Sequence, residues 1–232
     1  MRTTGILSWL FVLSSAAVAS AQVPPAAPLE PSPDPSATAL SAEARPRHAV
    51  LPYLKVGGLI PMSQIGAGVA VQLGAGYVPP ILKGRLAATL DLAYGQGGAS
   101  DTVLDPRLGP DGGEYSYSLT QRDLSLFVGP QVFILDPDGR IVPYAALGLE
   151  LHFLQSVVEG SSAGSPLGEN REVSTKAGFA VRGGAGYRLG PGMIIGEIAV
   201  GWAPLDHATT GDSHLGRVAI LVGYQARLSF GR

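Results

Sequence analysis

The sequence predicts an all-β fold, an eight-stranded antiparallel up-and-down transmembrane β-barrel, on three observations. Gly and Pro supply 32 and 19 of the 232 residues, which excludes long charged helices and coiled coils. Charged residues make up only 15% of the chain and hydrophobic residues 46%, which excludes wholesale disorder. Apolar and polar side chains alternate with a period of two in segments of about ten residues, which is typical of strands with one apolar and one polar face.

The amino terminus is predicted to be a targeting segment. Arg2 precedes the apolar run 6–18, and a small-residue cleavage site ends at Ala21. The run is shorter than the roughly 20 apolar residues that a spanning helix needs, which argues against a retained anchor. Residues 1–21 are therefore interpreted as a signal peptide.

A spacer is predicted between this segment and the strands. Residues 22–47 are rich in Pro, Ala and Ser, a composition that forms no core and is typical of a disordered linker.

The chain contains no Cys, so disulfides and Cys-based metal or nucleophile chemistry are excluded. The 16 basic residues against 18 acidic ones argue against a nucleic-acid partner. The barrel is assigned to residues 48–232.

The order of strands and connections predicts a meander that closes on itself. Three tight turns lie at one end of the strands, and three longer polar loops with one short loop lie at the other. The predicted strands are 50–61, 67–78, 85–96, 116–134, 140–154, 174–189, 192–204 and 215–230. The predicted turns are 79–84, 136–139 and 190–192, and the predicted loops are 62–66, 97–115, 155–173 and 205–214.

The two faces of the strands predict which side meets lipid. Eight strands leave an interior just wide enough to be filled by side chains. The apolar face carries large residues that would overfill this interior, whereas the polar face carries Gly, Ala and some charges. The apolar face is therefore predicted to point outward. An inward orientation of the following residues would exclude the membrane interpretation: Leu149, Ile194, Ile198, Ile220 and Val222.

Outward-facing aromatic residues are predicted to form two bands, as the two interfaces of a bilayer require. Those expected near the loops are Tyr94, Phe153, Phe179 and Trp202. Those expected near the turns are Tyr77, Tyr187, Tyr224 and Phe230.

Two segments resemble a known family. The last strand, VAILVGYQARLSF at 218–230, resembles the closing strand of bacterial outer-membrane barrels, and PYAALGL at 143–149 is similar to a phrase of small OmpA/OmpX-type barrel domains. The resemblance implies a location in the bacterial outer membrane, with both termini and the 22–47 spacer in the periplasm. It also implies insertion by the barrel-assembly machinery, contact with outer-membrane lipids, and a structural or surface-interaction role with an undefined loop ligand.

Charged residues on the inward face are predicted to pair and plug the lumen, because an unpaired buried charge is costly. The alternative is that they line a narrow channel for small solutes or ions. The predicted network comprises Lys55, Asp91, Asp123, Glu150, His152, Lys176, Arg182, Arg188, Glu197, Arg217 and Arg227.

A third hypothesis is an enzyme that modifies membrane lipids. It would need a nucleophile or base with an orienting acid, but no recognisable catalytic motif accompanies the candidates. The acidic loop 101–112 lacks calcium-loop spacing and is interpreted as solvated. We therefore expect no enzyme, cofactor or metal site. The candidate groups are His152 with Glu150, and His207 or His214 near Asp206 and Asp212.

Overall fold

The computed structural model describes residues 48–63, 65–105, 113–162, 165–206 and 213–230. The predicted signal peptide and spacer lie outside the described residues, as do His207 and Asp212. Within the described ranges, no helix is long and apolar enough to cross a bilayer.

The described chain is built from strands joined by short connections. One 3-10 turn, Leu82–Gly84, lies between the second and third strands. The strands are β1 His48–Pro61, β2 Gly68–Val78, β3 Leu86–Asp105, β4 Gly113–Phe133, β5 Ile141–Ser162, β6 Ser165–Leu189, β7 Gly192–Pro204, β8 His214–Ala226 and β9 Leu228–Phe230.

The strands form a closed antiparallel ring. Each strand from β1 to β8 pairs with its neighbours in sequence, and β1 pairs with both β2 and β8. The short β9 continues the register of β8 along β1, since Tyr53 lies opposite Gln225 and Val50 opposite Leu228. The predicted eight-stranded up-and-down barrel is confirmed.

The predicted orientation of the apolar face is also confirmed. Leu149 is 70% exposed, and the other test residues are between 44% and 57% exposed. Inward positions on the same strands are buried, as Glu150 on β5 and Glu197 on β7 show. The large apolar side chains therefore form a coat around the ring. The other test residues are Ile194, Ile198, Ile220 and Val222.

The interior differs from the prediction in one respect. It was expected to hold small residues and charges, yet it also encloses the large side chains of Phe127, Leu154 and Ile195, each no more than 1% exposed. Room for them comes from glycine on neighbouring strands. A Cβ at Gly148 would lie 2.6 Å from Cζ of Phe127.

Two of the predicted loops were wrong. Residues 97–105 and 113–115 belong to the β3–β4 hairpin, whose pairing continues to Asp105 and Gly113. Residues 155–162 and 165–173 likewise extend β5 and β6 until Ser162 lies opposite Ser165. The sequence pattern missed these extensions because their few apolar residues, such as Val103 and Leu104, do not alternate with a period of two. Strands β3 to β6 thus continue as a sheet beyond the barrel.

Candidate functional site

The alternation of β-strand side chains directs charged residues from seven strands into the lumen. Their acidic and basic groups meet in the middle of the barrel, and we call this cluster the ionic layer. Its members are Lys55, Asp91, Asp123, Glu150, His152, Arg182, Glu197 and Arg217.

The part of the ionic layer closest to the turns is centred on Glu197. Lys55 Nζ lies 2.6 Å from Glu197 Oε2, and both side chains are at most 4% exposed. The Tyr144 hydroxyl donates to the same oxygen at 2.8 Å. The ammonium group also lies 4.4 Å from the centre of the Tyr53 ring. The pair is thus enclosed by protein groups, and both of these contacts to Glu197 are made through Oε2.

The next part joins Arg182 to Asp91. Nη1 of Arg182 donates to Asp91 Oδ2 at 2.6 Å, and Nη2 donates to Oδ1 at 3.2 Å. The Tyr53 hydroxyl donates to Oδ2 at 2.8 Å. The guanidinium carbon of Arg182 lies 3.6 Å from the centre of the Phe127 ring. Paired N–H donors and a stacked aromatic ring suit the planar guanidinium group.

The part closest to the loops is organised by Arg217. Its guanidinium group donates to both Asp123 and Glu150, and Ser125 Oγ donates to Glu150 Oε1 at 3.1 Å. His152 is held between the same two carboxylates, with Nδ1 2.9 Å from Asp123 and Nε2 3.6 Å from Glu150. One arginine and one histidine therefore link two acidic residues from neighbouring strands.

Three residues of the predicted network lie outside the ionic layer. Lys176 is half-buried opposite His152 in the β5–β6 register. Arg188 and Arg227 instead reach Asp138 in the β4–β5 turn, at 3.5 and 2.6 Å. Arg188 and Arg227 lie at the turn-end rim because, on their strands, these positions are beyond the centre of the barrel.

The predicted network did not include the uncharged partners of the ionic layer. Tyr53, Ser125 and Tyr144 donate to Asp91, Glu150 and Glu197 respectively. Strand alternation could have found them, since each lies an even number of residues from a predicted inward charge on its own strand.

Two apolar layers enclose the ionic layer. The loop-end layer includes Leu154, Ala203, Leu205 and Leu215. Strand β5 crosses the lumen layers in order, with Val142 first, Glu150 in the middle and Leu154 last. The turn-end layer consists of Ala49, Leu51, Tyr53, Val78, Ala87, Phe133, Val142, Tyr144, Met193 and Ile195.

A small cavity remains beside the ionic layer. Its volume is about 30 Å³, and Gln72, Glu150, Arg182 and Arg217 lie in its wall. This volume admits two or three water molecules at about 10–15 Å³ each. A second cavity of about 20 Å³ lies towards the loops, against Ile65, Gln121 and Asp123. The spaces are of the size of water molecules.

Comparison with known proteins identifies the class of protein that shares this fold. No protein-family model and no curated protein matches the chain. A major outer membrane protein from Thermus thermophilus superimposes with a TM-score of 0.52 at 12% identity, covering 78% of this chain and 99% of that one. The chain has the fold of an outer-membrane β-barrel.

Ail, the attachment invasion locus protein of Yersinia pestis, has a TM-score of 0.45 at 13% identity, covering 78% of this chain and 99% of that one. OprG from Pseudomonas aeruginosa has a TM-score of 0.43 at 11% identity, with 79% and 97% covered.

The outward surface of the barrel carries the two groups of aromatic residues. Near the loops, Phe179 and Trp202 are register partners whose ring centres lie 5.8 Å apart. Near the turns, the His48 ring stacks between Tyr77 and Phe230 at 5.9 and 5.8 Å, and its Nδ1 lies 2.6 Å from the Tyr77 hydroxyl. The latter group joins the first and last strands at the point where the ring closes. The remaining aromatic residues of the two bands, Tyr94 and Phe153 near the loops and Tyr187 and Tyr224 near the turns, are each at least 40% exposed.

Two adjacent glycines of the barrel allow a matched test of lumen packing. A Cβ at inward Gly184 would lie 2.7 Å from the Tyr144 hydroxyl, whereas one at outward Gly183 would meet no atom within 4 Å. Gly184→Ala should displace Tyr144 from Glu197 and lower the free energy of unfolding by about 1–3 kcal/mol. Gly183→Ala should change it by less than about 0.5 kcal/mol. Denaturant unfolding in vesicles, followed by Trp202 fluorescence, measures both values. Equal effects of the two substitutions would contradict this view of the lumen.

Proposed function

We propose that the chain is an integral outer-membrane protein that is closed to solutes and has a structural or surface-interaction role in the bacterial envelope. The observation that carries this proposal is the filling of the lumen, where the ionic layer lies between two apolar layers. Opposite charges in the ionic layer neutralise one another instead of lining an open path. The paired charges thus act as a plug.

The turn-end layer supports closure more strongly than the charges do. A hydrated ion that reached Lys55 would still have to pass buried Leu51, Phe133 and Ile195. Apolar constrictions of this kind block conduction because water leaves them and ions cannot lose their hydration shells there. This supports the structural proposal over a narrow channel.

The sheet beyond the barrel supports a role at the surface. From Phe153 to Ser162, strand β5 adds about 30 Å of chain beyond the aromatic band, at about 3.3 Å per residue. Tyr115 stacks on Tyr117 with ring centres 6.1 Å apart. Tyrosine combines a large apolar area with a polar tip and suits contact surfaces. This sheet is the part of the chain that we propose meets the surroundings.

The placement of the ends supports the proposed orientation. His48 and Phe230 are register partners at the same end of the barrel as the turns. In outer-membrane barrels the short turns face the periplasm and the long connections face outward. We therefore place both termini in the periplasm and the protruding sheet outside the cell.

The enclosure of the candidate catalytic pair supports the proposal that the chain is not an enzyme. His152 and Glu150 lie close together, but His152 is 1% exposed and Glu150 2%. A lipid substrate would have to reach them through the barrel wall or the loop-end layer. His214 is half-buried, and Asp206 is exposed at the loop end.

Conductance measurements test whether the barrel is closed. Purified, refolded protein in a planar lipid bilayer is expected to give no stable single-channel steps, because an apolar layer and a paired ionic layer lie in series. The measurement records the current at fixed voltage before and after insertion. Insertion itself is checked by the shift in gel migration between boiled and unboiled samples.

A porin of known conductance, incorporated in the same bilayer, provides the positive control. Stable open steps from the folded protein would overturn the closed-barrel proposal in favour of the narrow channel. Failure to insert into bilayers, with recovery only in the soluble fraction of cells, would overturn the membrane proposal as well.

A further inference from the structure

The two ends of the described barrel carry opposite charge. Around the turns, five basic side chains face two acidic ones. Beyond the aromatic band near the loops, six acidic residues with described side chains face three basic ones. The turn-end groups are Lys83, Arg85, Arg140, Arg188 and Arg227 with Asp136 and Asp138. The loop-end groups are Asp101, Glu114, Glu159, Glu169, Glu172 and Asp206 with Arg122, Arg171 and Lys176.

Two of the turn-end cations are already paired with other groups of the protein. Arg188 and Arg227 reach the same carboxylate oxygen of Asp138, at 3.5 and 2.6 Å. Both also donate to the backbone carbonyl of Pro137, at 2.5 and 3.5 Å. These contacts pin the β4–β5 turn to the rim and leave these two cations with little capacity for an external anion.

The other three turn-end cations are exposed, and we call them the basic rim: Lys83, Arg85 and Arg140. No ion pair with a carboxylate involves them among the residues that the structure describes. They come from neighbouring turns, since the backbone N–H of Phe133, at the end of β4, donates to the Arg85 carbonyl at 2.8 Å. The basic rim thus lies on two adjacent turns, on one side of the ring.

Arg140 has the geometry of a headgroup contact. Its Nε donates to the hydroxyl of Tyr187 at 2.8 Å, and its guanidinium carbon lies 5.1 Å from the centre of that ring. Tyr187 belongs to the lipid-facing aromatic band at the turn end and is 42% exposed. The cation is therefore held on the outside of the barrel, at the level where lipid headgroups begin.

Exposed apolar side chains surround the basic rim. Ile81 and Leu82 in the β2–β3 turn are 51% and 67% exposed, and Ile134 and Leu135 beyond β4 are 58% and 54% exposed. An apolar surface edged with Lys and Arg is typical of contact with the boundary between acyl chains and anionic headgroups. An acidic protein partner would leave these apolar groups in water.

We propose that the basic rim binds the phosphate groups of anionic phospholipids in the leaflet that borders the turns. The inference rests on the proposed membrane-spanning role and adds a lipid class to it. The lipid headgroup supplies the anion and its acyl chains cover the apolar side chains. Arg140 donates to the phosphate with its remaining N–H groups, and Lys83 and Arg85 add charge from the next turn.

Spin-labelled lipids test this proposal on the full chain refolded in phosphatidylcholine vesicles. Electron paramagnetic resonance compares how strongly labelled phosphatidylglycerol and labelled phosphatidylcholine associate with the barrel. Wild-type protein should prefer phosphatidylglycerol. The variant Lys83→Gln/Arg85→Gln/Arg140→Gln should lose this preference by about fivefold or more, since each such charge near anionic lipid contributes about that factor. Raising the salt concentration should weaken the wild-type preference.

The loop-end variant Arg122→Gln/Arg171→Gln is the control, because it removes two exposed arginines from the opposite end, and Arg85→Gln/Arg140→Gln is the rim variant that removes the same number. The loop-end variant should keep the preference. An equal loss in this control, or an unchanged preference in the rim variant, would overturn the proposal. If the triple variant does not fold by gel migration, Arg140→Gln alone is measured against Arg122→Gln. Absence of any immobilised lipid signal from wild-type protein would instead overturn the membrane-spanning function.

Discussion

Replacing Arg182 with Met is expected to lower the free energy of unfolding of the barrel by about 3–5 kcal/mol. Arg182 donates to both carboxylate oxygens of Asp91, whose side chain is 0% exposed. Without the guanidinium group, this carboxylate keeps the Tyr53 hydroxyl as its hydrogen-bond donor in the described lumen. The expected loss is large because it includes the cost of leaving a buried charge without its counterion.

A second variant separates this cost from a simple loss of packing. In Arg182→Met/Asp91→Asn the buried charge is gone, and the amide oxygen still accepts from Tyr53. The double variant should therefore recover a large part of the lost stability. Denaturant unfolding in vesicles, followed by Trp202 fluorescence, gives the free energies of the wild type, of Arg182→Met, of Asp91→Asn and of the double variant. If the double variant is as unstable as the sum of both single variants, the pair is not coupled and the ionic layer is misassigned.

Replacing Leu147 with Arg should lower the free energy of unfolding by about 2–4 kcal/mol in a bilayer. Leu147 lies on the outward face of β5, midway between Ile141 near the turns and Phe153 in the loop-end aromatic band, and it is 56% exposed. An arginine there would have to enter the middle of the hydrocarbon layer. In water the same position would tolerate a cation at little cost. A large loss of stability would therefore indicate that this position contacts lipid.

Leu104→Arg provides the matched control for this prediction. Leu104 is also outward on its strand and is 71% exposed, but it lies in the extension of β3 beyond the barrel. Its substitution should cost less than about 1 kcal/mol, as expected outside the hydrocarbon layer. Unfolding from vesicles and refolding yield are measured for both variants. A Leu147→Arg variant as stable as the Leu104→Arg variant would contradict the membrane location of the coat.

The strands of the barrel could be predicted from the sequence because outward apolar residues alternate along them with inward residues that are mostly small or polar. On β7, Ile194 and Ile198 face outward and Glu197 faces inward, as the alternation predicts. The tight turns at 136–139 and 190–192 carry Pro and Gly, whose backbone preferences are local. Gly190, for example, has a φ of 59°.

The extensions of the hairpins could not be predicted in the same way. Beyond the bilayer both faces of a strand meet water, so the period-two contrast disappears. Asp101 and Thr102 on β3 point to opposite faces and are both exposed and polar, and a sequence of this kind is also typical of a loop. Pairing with a neighbouring strand, such as Thr102 opposite Ser116 with hydroxyls 2.9 Å apart, makes it a sheet.

The sequence by itself determined the strands within the barrel, their apolar outward coat and the inward direction of the lumen charges, because strand geometry sends successive side chains to opposite faces. Only the tertiary structure decided which charges meet. Asp91 meets Arg182 and Lys55 meets Glu197 across 91 and 142 residues of chain. These encounters depend on the closure of the ring and the stagger between strands, which also place an apolar layer on each side of the charges and move Arg188 out to the rim.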